Sequence, residues 1–182
     1  MILSLFRKDP TLEAASALYA SAVEQARLPV FYEKFAVPDT PEGRFELLSM
    51  HIYLVLRRLK GAGAAADRLS QKVLDAFFAN LDSSLREMGV GDLSVGKKIR
   101  ALAEAFYGRA RAYEAGLEDG AAPSILAAAV SRNVYEEAEA EMAPALAGYL
   151  RDAAAVVGAQ SLARLLSGVV HFPDAAAPAL AE

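Results

Sequence analysis

The run Gly91-Asp92-Leu93-Ser94-Val95-Gly96-Lys97-Lys98 comes within one residue of a phosphate-binding loop. In that motif, G-x-x-x-x-G-K-[ST], backbone N–H groups cradle phosphates, the lysine reaches the outer ones and the last hydroxyl holds magnesium. The match fails twice. Lys98 stands where the hydroxyl residue belongs, and the preceding segment reads as a helix where the motif follows a β-strand. Other chemistry fares no better. The chain has no cysteine, so it offers no thiolate nucleophile, thiolate metal site or disulfide framework. Its two histidines, His51 and His171, are too few for an all-histidine metal site, and neither sits in a nucleophile pattern. Glu136 and Glu139 beside Tyr135 hint at a paired-metal bundle, but the Glu-x-x-His pair such a site needs is missing. The sequence therefore points away from an enzyme, and no cofactor or metal is expected.

Residues that could bind a partner stand out more. Lys97, Lys98 and Arg100 crowd the first turns of a helix, where the dipole disfavours cations. Arg109 and Arg111 extend the basic character, and Tyr107 lies beside them. Local rules are broken most often at functional sites. Arg44, His51 and Arg58 are spaced by sevens and so line up along one helix face. Phe31, Tyr32 and Phe35 put three aromatics within five residues. We take Arg44, His51, Arg58, Lys97, Lys98 and Arg109 as a basic rim, and Phe31, Tyr32 and Tyr107 as apolar contacts. The competing reading makes His51 an internally satisfied histidine and the aromatics part of the core.

These residues must be positioned by helices. Apolar residues recur at three- and four-residue spacings, and no alternating apolar–polar strand is present. The fold should be all-α, a single compact domain of about six to seven helices over residues 1–172, with a disordered Ala/Pro tail over 173–182. Asp9 or Thr11 should cap a first helix running to about Ala26. A short aromatic helix should follow, then a helix from Pro41, capped by Thr40, to about Lys60. A third long helix is predicted from Asp67 to Met88. Gly89 suits its left-handed C-terminal position, with Gly91 and Asp92 in a tight turn and Ser94 as the next N-cap. The following helix should run from Val95 to Leu117, with Gly108 inviting a close backbone approach. One helix is expected over Pro123–Met142, with Glu136, Glu137, Glu139 and Glu141 on its solvated face. Others should span Pro144–Val157 and Ser161–Val169.

The formal charge of −4 argues against binding DNA over the whole surface. No stretch is long and apolar enough to span a bilayer, and the start MILSLFRKDP has the wrong charge order for a signal peptide. A cytoplasmic protein is expected. The Met1–Phe6 tip and its basic pair, Arg7 and Lys8, either pack on the core or touch a membrane or partner.

Two blocks, Phe31–Leu59 and Ser70–Tyr113, carry a family resemblance. They hold a PDT-x-x-GRFE segment, the turn REMGVGD and the helix FYGR-x-x-x-Y, with RNVY at Arg132–Tyr135 as a weaker third block. Together they resemble the ubiquinol–cytochrome c chaperone family. The resemblance implies an all-helical, non-catalytic assembly chaperone that binds newly made cytochrome b and supports assembly of the cytochrome bc1 complex. It further implies contact with the ribosome or membrane surface, peripheral to the inner membrane. Mitochondrial members act with a small partner protein. The chain shows no long leader like theirs and so resembles a bacterial member, in which that partner's interface does not simply carry over. The alternative is a haem- or lipid-binding carrier in the same pathway, with His51 and His171 as the only imidazoles.

Overall fold

The computed structural model describes residues 9–175 of the 182. It holds no strand among them and eight helices: α1 Pro10–Ala26, α2 Pro29–Glu33, α3 Pro41–Leu59, α4 Ala64–Glu87, α5 Asp92–Leu117, α6 Pro123–Val134, α7 Ala143–Ala159 and α8 Leu162–Leu166. The expectation was six to seven; two of the eight, α2 and α8, have only five residues each. The Met1–Phe6 tip with Arg7 and Lys8, and the tail from residue 176, lie outside the described residues. Pro173 is held in place: its carbonyl accepts from Gln25 Nε2 at 3.0 Å.

The long helices begin where local chemistry dictates. Asp9 Oδ1 accepts from Thr11 N at 2.9 Å, and Thr40 Oγ1 accepts from Gly43 N at 3.1 Å. Each satisfies an N–H that the first turn leaves open. The α4–α5 turn closes as read from Gly89. That residue sits at φ +83°, Val90 N donates to the Leu85 carbonyl and Gly89 N to the Arg86 carbonyl. This is the double bond pattern of a Schellman cap. Ser94, however, is not the next N-cap. Helix α5 starts three residues earlier, capped by Gly91 in an extended conformation.

Helix α3 is the axis of the molecule. His51, Ile52, Tyr53, Leu54 and Val55 are consecutive and all buried, so the helix is enclosed on every side there. It packs against α1, α4, α5, α6, α7 and α8. Around α3, α1 presents the small face Ala14, Ala15, Ala22 and Ala26, which brings it close to α4. The closest approach on α5 is at Gly116, not Gly108. A Cβ on Gly116 would stand 2.7 Å from the Leu126 Cα, whereas one on Gly108 would meet open space.

The largest departure from expectation is after α6. The predicted Pro123–Met142 helix stops at Val134, and the glutamates lie in an irregular link. Glu136 adopts φ +56°, a left-handed conformation that ends the helix. Ser131 then holds the link on both sides: its hydroxyl donates to the Glu137 carbonyl at 3.0 Å and accepts from Ala140 N at 2.7 Å. Tyr135 OH donates to the Phe35 carbonyl at 2.7 Å and ties the same link to the segment after α2.

Candidate functional site

Buried residues thin out towards the tip shared by α4 and α5. Helix α4 buries Ala66, Leu69, Val73 and Phe77 but no residue beyond, and α5 buries only Val95 before Phe106. The C-terminal half of α4 and the N-terminal half of α5 thus form an arm standing off the body. Where the arm meets α1, α2 and the start of α3, it leaves a half-open groove of about 660 Å³. The apolar lining comes from Val23 on α1, Phe45 and Leu48 on α3, Leu81, Leu85 and Met88 on α4, and Leu102 on α5. Charged side chains ring it: Arg27, Glu42, Arg44, Glu46, Arg109 and Glu136.

Three of the residues singled out from sequence meet at this groove. Tyr32 is half-buried in its wall, and its hydroxyl donates to the Ala26 carbonyl at 2.9 Å. Arg44 is exposed at the mouth and paired with Asp39 at 2.7 Å; that hydrogen bond and charge hold the Asp39 carboxyl below its ordinary pKa. Arg109 closes the inner end in a short ion pair with Glu46 and lies 5.6 Å above the Phe45 ring. Glu46 is almost fully buried, and burial raises its pKa above the ordinary carboxylate value, with Arg109 opposing. Removing one partner of such a pair strands a buried charge and costs about 3–5 kcal/mol. Arg109 is therefore committed to Glu46, as well as lining the groove.

Other expected residues lie elsewhere. Phe31 and His51 are fully buried and cannot belong to a surface rim. Phe31 packs edge-on against Tyr149 at 4.9 Å and His51 at 5.6 Å. His51 Nδ1 donates to the Leu47 carbonyl at 2.7 Å, and Nε2 accepts from Tyr149 OH at 2.8 Å. Tyr149 OH in turn accepts from Gln25 Nε2 at 3.1 Å. Both ring nitrogens are thus occupied, and burial pushes the pKa down to about 4. The ring is neutral, and a haem iron would find no free nitrogen on it. Arg58 donates to the Gln160 carbonyl at 2.9 Å, at the far end of α3 from Arg44. The seven-residue line is real as helix geometry, but its middle is covered by α2 and α7.

Lys97 and Lys98 are exposed on the first turns of α5, and Tyr107 is half exposed further along it; none of them lines the groove. The run that resembled a phosphate loop is mostly helix, with Gly96, Lys97 and Lys98 inside α5. No open loop of N–H groups exists there to hold a phosphate. Among the described residues no cluster of His, Asp and Glu could hold a metal ion, and no helix is long and apolar enough to cross a membrane.

Sequence reading missed the groove as a unit. Leu81, Leu85 and Met88 stand out in the periodicity of α4, but as core. The visible signal was length: α4 and α5 have 24 and 26 residues, against 19 for the next longest described helix, α3. Arg27 carried no signal at all.

Residues 33–172 match the protein-family model described as Ubiquinol-cytochrome C chaperone. The chain is 27% identical over 124 residues to ubiquinol-cytochrome-c reductase complex assembly factor 1 of Xenopus laevis, covering 68% of this chain and 61% of that protein. It is 26% identical over 104 residues to the Mus musculus assembly factor of the same name, covering 57% of this chain and 35% of that one. Among solved structures, the crystal structure of the Cbp3 homolog from Brucella abortus superposes with a TM-score of 0.85 at 39% identity, covering 96% of this chain and 98% of that one.

Proposed function

Because the chain belongs to the ubiquinol–cytochrome c chaperone family, we propose that it assists assembly of the cytochrome bc1 complex by holding newly made cytochrome b in the α4–α5 groove. The observation that carries this reading is the groove itself. It has an apolar floor, a ring of charges, and one wall formed by an arm with little core of its own. Such a site suits an amphipathic or membrane-destined helix, whose apolar face needs cover and whose flanks carry charge. No covalent step is required of the protein; its part is to bind, shield and release.

The test is site-specific photo-crosslinking in cells that assemble the complex. Probes at Leu85 and Met88 in the groove should capture cytochrome b, while a probe at Lys60, exposed at the other end of α3, should not. Equal capture at all three sites, or capture at none, removes the groove assignment. Normal cytochrome b accumulation after deletion of the gene removes the assembly role.

A further inference from the structure

The tip of the arm carries a second surface, which adjoins the groove at Met88 and extends beyond it to Leu93. Leu93, in the first turn of α5, is fully exposed, and Met88, at the end of α4, is 58% exposed. Leaving Leu93 wholly in water forgoes about 1.5–3 kcal/mol of burial, and the partly exposed Met88 forgoes a fraction of that. Lys97, Lys98 and Arg100 follow on α5, all exposed and none in an ion pair with another described residue. At 1.5 Å per residue they stand about 6–10 Å above Leu93 along the helix. The acids nearby are largely accounted for. Asp82 and Asp92 both pair with Arg86, and Glu87 accepts from Ser83 Oγ at 3.3 Å. Glu104 lies one turn beyond Arg100, farther from the tip.

We propose that this tip docks on an anionic lipid bilayer, with Leu93 and Met88 entering the interface and Lys97, Lys98 and Arg100 pairing with headgroups. The spacing fits. Interfacial side chains sit about 5–10 Å below the headgroup level, and that separates the aliphatic tip from the cations. The charge fits too: each cation near an anionic leaflet contributes about 1 kcal/mol. An RNA or ribosomal surface would use the cations but has no place for Leu93 and Met88. The surface goes beyond the client-holding reading, and it would set the groove against the bilayer from which a membrane protein's segments are delivered or taken.

The test is flotation of the full chain with two kinds of vesicle, pure phosphatidylcholine and phosphatidylcholine mixed equally with phosphatidylglycerol. The protein should float with the mixed vesicles and not with pure phosphatidylcholine, and should come off as salt is raised. Leu93→Asp, and separately Lys97→Glu with Lys98→Glu, should each weaken binding by about tenfold or more. All three positions are exposed, so an unchanged helical circular dichroism signal checks that the variants fold. No flotation with mixed vesicles overturns the proposal. So does flotation that both variants leave intact, or co-sedimentation with ribosomes that the lysine variant alone abolishes. Crosslinking from Leu85, which lines the groove and is no part of the tip surface, is read separately, so failure at the tip and failure of the client site can be told apart.

Discussion

At the scale of single residues, the most consequential placement is His51. It was read as one of a row of surface cations and is instead a neutral hydrogen-bonding hub, between the Leu47 carbonyl and Tyr149 OH. Its folded pKa is pushed down to about 4 from 6.5. Between those values the unfolded chain binds a proton that the folded chain does not. Stability contributed by the neutral ring is therefore present above pH 6.5 and lost as pH falls towards 4, by about 3 kcal/mol for a shift of this size. Glu46 works in the opposite direction: its raised pKa favours the protonated folded form as pH falls. Thermal melts of the wild type and His51→Gln across this range should separate the two. The variant should be less stable at neutral pH and should lose less on acidification. Parallel melting curves would show that His51 does not titrate on unfolding. The row of sevens failed for a definite reason: spacing fixes which residues share a face, and the partner helices decide which part of that face is covered.

At the scale of elements, the glycines divide by what stands opposite them. Gly116 faces the Leu126 backbone, and a methyl group there must push α6 away from α5. Gly116→Ala should destabilise the fold by about 1–3 kcal/mol. Gly108 is helical, with open space beyond it. Gly108→Ala should stabilise by about 1 kcal/mol through helix propensity alone. Denaturant unfolding of the two variants checks both signs; the sequence reading assigned the close approach to the wrong one of the pair. Capping chemistry was more legible. Asp9, Thr40 and Gly89 act where their side chains or backbone freedom suggest. Those devices work within five residues of chain. The acidic run after Val134 misled because its helix-favouring composition is overruled by Ser131 and Tyr135, whose partners Glu137, Ala140 and Phe35 are only known once the link is folded back.

At the scale of the whole molecule, stability is distributed unevenly, and the candidate function sits at the weak end. The body around α3 is enclosed, while the arm beyond Phe77 and before Phe106 buries only Val95. Amide hydrogen exchange should be slowest through His51–Val55 and markedly faster in 80–100, because local opening costs least where few apolar contacts are lost. Uniform protection of both regions would show that the arm belongs to one cooperative unit with the body. The sequence by itself determined that the chain is helical, where most helices start and stop, and which family it joins. Periodicity, caps and motif blocks are properties of neighbouring residues. Which faces are covered was decided only in three dimensions. His51 is buried by Tyr149, 98 residues away, and Arg109 is committed to Glu46, 63 residues away. The groove exists because two long helices outrun the core they pack on, and that mismatch belongs to the assembled bundle, not to any one segment of it.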